Sequence, residues 1–189
     1  LLNTVLGSFS SGVAASTSSY ESIASATGTG SSGTITFSSI PSTYKHLQIR
    51  YIGRTDQANF TRNLSLRFNS DSGGNYANHY LEGTGSAASA SGSTTQTAIL
   101  MNNSVYGASV ASDILGVGVL DIHDYASTTK YKVVRFFTGL DNNNTSYGRV
   151  NLQSGLWLST TAINSISFLT STGNFTTQTQ FALYGIKGE

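Results

Sequence analysis

HLQIRYIGR (46–54), followed by LSLRF (64–68), decides the fold class of this chain. In the first stretch Leu47, Ile49 and Tyr51 fall on one side, and Gln48 and Arg50 on the other. In the second, Leu64, Leu66 and Phe68 alternate with Ser65 and Arg67. A period of two with one apolar side marks an antiparallel sheet half-covered by a core.

Working outward, the same reading predicts strands over 20–26, 34–37, 76–81, 114–121, 130–139, 147–153, 162–169 and 180–186. GTGSSG (28–33) and NSDSGGN (69–75) are turn sequences. Pro41 lacks an N–H and stops regular pairing. In 130–139, Val133, Arg135 and Phe137 lie on one side and Lys132, Val134 and Phe136 on the other, so both sides are expected to be covered. GTGSAASASGSTTQT (83–97) has too little side chain to bury and reads as a long exposed loop. Residues 156–162 suit one helical turn, but no segment carries a sustained 3.6-residue period.

About ten short strands between polar turns predict an all-β protein: an antiparallel β-sandwich, jelly-roll-like, with some eight core strands and additions. There is no repeat at fixed spacing, which removes a solenoid. Residues 20–189 form the sandwich domain. Residues 1–19 read as an extended N-terminal arm, with Leu2, Val5, Leu6 and Phe9 as its contact residues, because Ser and Gly after Gly7 weaken a helix. The opening LLNTVLGSF lacks the basic start of a signal peptide and reads as the interior of a longer or processed chain.

Composition narrows function. Ser and Thr make up 54 of 189 residues, and 10% are charged, against about 25% in ordinary domains. A net charge of +1 gives no basic field for nucleic acid and no polybasic membrane anchor. No apolar run reaches the roughly 20 residues of a spanning helix. With zero Cys, thiolate chemistry is absent. Sequons at Asn59, Asn63, Asn102, Asn143, Asn144 and Asn174 are what chance gives in a chain this rich in Asn, Ser and Thr.

The most enzyme-like cluster is DIHDY, where Asp121 and His123 would share a side if the strand continued. They would form a base–orienter pair or a metal site, with Asp124 beside them; the alternative is a strand entering an Asp-stabilised turn. Asp71 with Asn69 and Asn75 offers either a weak calcium loop or a turn. Among Glu82, Asp113, Asp121 and Asp124 nothing selects a glycosidase pair. Arg50 and Arg67 sit on polar sides of strands, open to interface or intrachain partners. Trp157 is either a sugar-stacking platform or an anchor in a core or subunit interface. No catalytic residue, metal or cofactor is expected.

Four stretches carry a resemblance: FSSIPSTYKHLQIRYIGRT (37–55), LSLRFNSDSGGNYANHYLEGTG (64–85), LDIHDYASTTKYKVVRFFTG (120–139) and SGLWLSTTAINSISFLTSTGNFTTQTQFALYGIKG (154–188). Together they resemble a family of tailed-phage virion structural proteins, with FALYGIKG the clearest piece. The chain has Leu158 where the family pattern often reads LWR. The resemblance implies a β-sandwich homotrimer on the virion that binds the major capsid protein or another virion protein. The role it implies is capsid decoration (cement) on the outer head surface. The alternative is a tail-fibre or baseplate module that binds a host-surface glycan. It carries over no catalytic residue.

Overall fold

The computed structural model describes residues 18–144 and 146–188. Twelve strands follow in order: β1 (Tyr20–Thr27), β2 (Thr34–Phe37), β3 (His46–Gly53), β4 (Thr61–Phe68), β5 (Tyr76–Gly83), β6 (Ala88–Gln96), β7 (Ile99–Tyr106), β8 (Gly116–His123), β9 (Lys132–Leu140), β10 (Arg149–Trp157), β11 (Ile166–Thr170) and β12 (Gln180–Ile186). They form an eight-stranded sheet ordered β1-β12-β3-β8-β9-β10-β5-β6 and a four-stranded sheet ordered β2-β11-β4-β7. Every ladder between these strands is antiparallel.

The alternating residues build the core as their period demands. Leu47, Ile49 and Tyr51 of β3, Leu120 and Ile122 of β8, Val134 and Phe136 of β9, and Phe181 and Leu183 of β12 point inward from the larger sheet. Leu64, Leu66 and Phe68 of β4 meet them from the smaller sheet, with Ile99, Met101, Ile166 and Phe168. At the centre Phe181 lies 5.0 Å from Tyr51 and 4.4 Å from Phe168, ring centroid to centroid. The Tyr51 hydroxyl donates to the Ser104 carbonyl at 2.9 Å, and burial pushes its ionisation up, beyond the usual tyrosine range.

Gly118 of β8 exists to let that ring in. A Cβ there would stand 2.4 Å from Tyr51 Cε1. Gly118→Ala is therefore expected to cost about 1–3 kcal/mol, the usual range for overpacking. It should appear as a Tm several degrees lower; an unchanged Tm would mean that the Tyr51 ring is free to move aside.

Three expectations are corrected. The 83–97 stretch is not a loop: Ala88–Gln96 pairs with β5, Leu81 opposite Ala90 and Glu82 opposite Ser89. Backbone hydrogen bonds suffice to hold a strand whose side chains bury almost nothing. The 156–162 stretch forms no helical turn, since Leu156 and Trp157 end β10 and the chain then runs irregularly. The third concerns 130–139, of which the described residues cover only one side. The expected arm residues Leu2, Val5, Leu6 and Phe9 lie outside the described residues.

Candidate functional site

The side of β9 that the described residues leave bare belongs to a larger surface. Cross-strand registers set its rows. Val119, Phe137, Leu152, Leu81 and Ala90 lie side by side across β8, β9, β10, β5 and β6. Beside them run Ile52, Val117, Gly139, Val150 and Gly83. On the other flank come Gln48, Asp121, Arg135, Ser154, His79 and Gly92, and beyond those Val133, Leu156 and Ala77. Ile52, Leu81, Val117, Val133, Phe137, Val150 and Leu152 are each between 42% and 53% exposed. An antiparallel sheet normally turns polar residues to water. Contiguous exposed apolar surface of this kind marks a contact site.

Charge is sparse on this face and largely used up. Asp121 accepts from Gln48 Nε2 and from Arg135 Nη2, both at 2.9 Å. These two bonds and the Arg135 charge hold its carboxyl below the ordinary range, against the opposing effect of burial. Arg50 donates to Gln48 Oε1 at 2.9 Å and lies over the Tyr184 ring.

DIHDY does continue β8 as far as His123, so Asp121 and His123 share a side. They do not form a base–orienter pair, because Asp121 serves Gln48 and Arg135. His123 meets His46 edge to ring, centroids 4.9 Å apart. His46 Nδ1 accepts the Asp124 backbone N–H at 3.0 Å, and burial, then His123, lowers its ionisation. Asp124 turns out of the strand at positive φ, between Lys45 and Lys130. Their hydrogen bonds hold its carboxyl well below the usual range. Among the described residues, no three His, Asp or Glu side chains gather as a metal site.

The oxygens of the 69–75 turn are likewise committed. Asp71 accepts from Trp157 Nε1 at 2.7 Å, from the Gly73 N–H at 2.8 Å and from Asn75 Nδ2. Asn69 Oδ1 accepts the N–H groups of Asn164 and Ser165. The turn is thereby tied to the segment after β10. Trp157 itself is 2% exposed and packs against Phe68 and Tyr76. It is enclosed by its own chain and presents no ring to a sugar.

The arginines do not converge. Arg50 is on the outer side of the larger sheet. Arg67, on the smaller one, donates to the Thr97 carbonyl, and Arg62 donates to Ser171 and Thr172. Arg54 is buried and gives its guanidinium to the carbonyls of Val110, Ala111 and Ile114. Glu82 is also buried, accepting from Asn102 Nδ2 at 3.0 Å and Asn103 Nδ2 at 2.7 Å, with Arg149 Nε 3.7 Å away. It belongs to a polar layer between the sheets, where Gln153 also bonds both backbone groups of Asn102.

Sequence reasoning expected cover on both sides of 130–139 but named no surface there, because periodicity marks which residues alternate, not which side the chain itself covers. The signal was present in VVRFF (133–137), apolar on both sides of one central strand. No protein-family model and no curated protein sequence matches the chain.

Proposed function

We propose that this chain is a structural protein of a bacteriophage virion, a homotrimeric decoration (cement) protein bound to the major capsid protein on the outer head. The single observation that carries this reading is the apolar face of the larger sheet, a surface made to be packed against protein. Its role is passive: buried contact area between neighbours raises the cost of separating them.

The strand order supports the reading. Without β5, β6, β9 and β10 the sheets reduce to β1-β12-β3-β8 and β2-β11-β4-β7. That order supports a jelly-roll-like reading of these eight strands, an architecture used by capsid proteins and also by lectins and cupins. The four remaining strands then widen one sheet and create most of the bare face. The resemblance of 37–55, 64–85, 120–139 and 154–188 to phage virion proteins points the same way.

The tail-module alternative loses its chosen sugar platform, since the Trp157 indole lies in the core and donates to Asp71. The deciding experiment is location and copy number in purified particles, by antibody labelling and cryo-electron microscopy. Hundreds of copies on the head are expected. A handful on the tail moves the chain to the alternative, and absence from particles overturns the virion role.

A further inference from the structure

We infer that the outer face of the eight-stranded sheet is closed by further copies of this chain. The inference rests on the assembly role proposed above and names the partner that this face takes.

Area is the first argument. From β3 to β5 the apolar rows cross five strands, and strands stand about 4.8 Å apart and rise about 3.3 Å per residue. Strands of 8 and 9 residues then give a face of roughly 600 Å², before side-chain relief is counted. A stable interface takes about 800 Å² from each partner. The face is therefore the right size for one protein surface of its own kind, and far wider than a bound peptide or small ligand needs.

Charge is the second. A highly charged partner would call for unpaired charges of the opposite sign. Here Asp121 is held between Gln48 and Arg135, and Arg50 is held by Gln48 and Tyr184. With a net charge of +1 on each chain, several copies gather with little mutual repulsion.

Relief is the third. Phe137, Leu152 and Leu81 make a ridge along the face. A depression of 280 Å³ lies on one side, over Gly139 and bounded by Val117 and Arg50. Another, of 400 Å³, lies on the other side over Ser154, bounded by Arg135 and His79. A ridge flanked by grooves lets one flank of the face on one copy seat against the ridge of the next, a heterologous contact that can close into a ring. Three such faces around one axis would enclose a common apolar core and give the homotrimer.

The test is the mass of the purified full chain by light scattering across a dilution series. One chain is 19.9 kDa. Three copies, about 60 kDa, or two, about 40 kDa, support the inference if the mass collapses to one chain in the Phe137→Glu/Leu152→Glu double variant. Both side chains point to solvent in the lone chain, so cooperative unfolding should survive. Should the double variant fail to fold, Leu81→Lys at the end of the ridge gives the same readout. Thr36→Glu, on the exposed side of the smaller sheet, should leave the mass unchanged. A wild-type monomer at every concentration overturns the inference, as does an oligomer indifferent to the face variants. A monomer that still binds phage heads overturns the inference and the homotrimer, assigns the face to another virion protein and leaves the decoration role standing. An oligomer closed through this face but absent from virions keeps the inference and removes the virion role.

Discussion

Trp157→Ala is expected to lower unfolding free energy by about 3–5 kcal/mol, the range for emptying a large aromatic from a core. The indole fills the space between Phe68 and Tyr76, with centroids 5.6 and 6.3 Å away. Its removal leaves a void and also takes from Asp71 the Nε1–H that it accepts at 2.7 Å. Trp157→Phe separates the two effects. The ring volume is largely kept and the hydrogen bond is lost, for about 1 kcal/mol after discounting for the partly exposed carboxylate.

The pH dependence follows from the same bond. Asp71 is held below its ordinary 3.8, first by Trp157, then by Asn75 and the Gly73 N–H. A depressed carboxyl contributes stability that is present above the unfolded value and lost as pH falls through the folded one. Wild type should therefore lose this contribution below about pH 4, and Trp157→Phe should lose less over that interval. Urea midpoints at pH 7 and pH 3, at one protein concentration, read both effects. An alanine variant within 1 kcal/mol of wild type would place the indole outside the core.

The second large effect is expected at Arg54. Its side chain is buried, and its fork reaches the Ala111 carbonyl at 2.8 Å, the Ile114 carbonyl at 3.0 Å and that of Val110. These three acceptors belong to the segment joining β7 to β8, which has little apolar packing of its own beyond Val110 and Ile114. Arg54→Met keeps the stem and removes every donor, leaving carbonyls unpaired for about 3 kcal/mol, since hydrogen bonds from a charged group are worth about 1.5–3 each and relief of the buried charge offsets part. Arg54→Lys should recover only part of the loss, because an ammonium is a point donor and cannot reproduce a planar fork. Hydrogen exchange should localise the damage to 107–115. Uniform loosening of both sheets would refute the clamp.

Legibility followed physics rather than length of segment. Strands β2 and β12 stand where alternation places them, 34–37 and 180–186, because each has one fully buried side. β7 escapes that rule. Its Asn102 and Asn103 interrupt the apolar alternation, Asn103 takes a positive φ, and the pairing with β4 shifts register between Arg62 and Leu64. The Asn pair is there for Glu82, 20 and 21 residues earlier in the chain, and such a partner is invisible to a local window. β6 escapes for the opposite reason, having no apolar alternation at all. At the outer face, Phe137 led to the expectation of cover on both sides of 130–139, yet it is 51% exposed, because alternation does not say what covers a side.

Neighbours in the larger sheet are not neighbours in time. β3 ends at Gly53, and the strand that pairs along it, β12, begins at Gln180. At about 5–20 residues per second, a ribosome takes roughly 6–25 s to cover that interval. Until then β1 and β3 each lack the partner between them, and Phe181 has not reached Tyr51 and Phe168. Among the described strands, the last made is the one that locks the first. A product that stops short of Gln180 holds every row of the outer face but leaves β1 and β3 unjoined and the core without Phe181. The order of synthesis thus places the closure between β1 and β3 after every other described strand of the larger sheet.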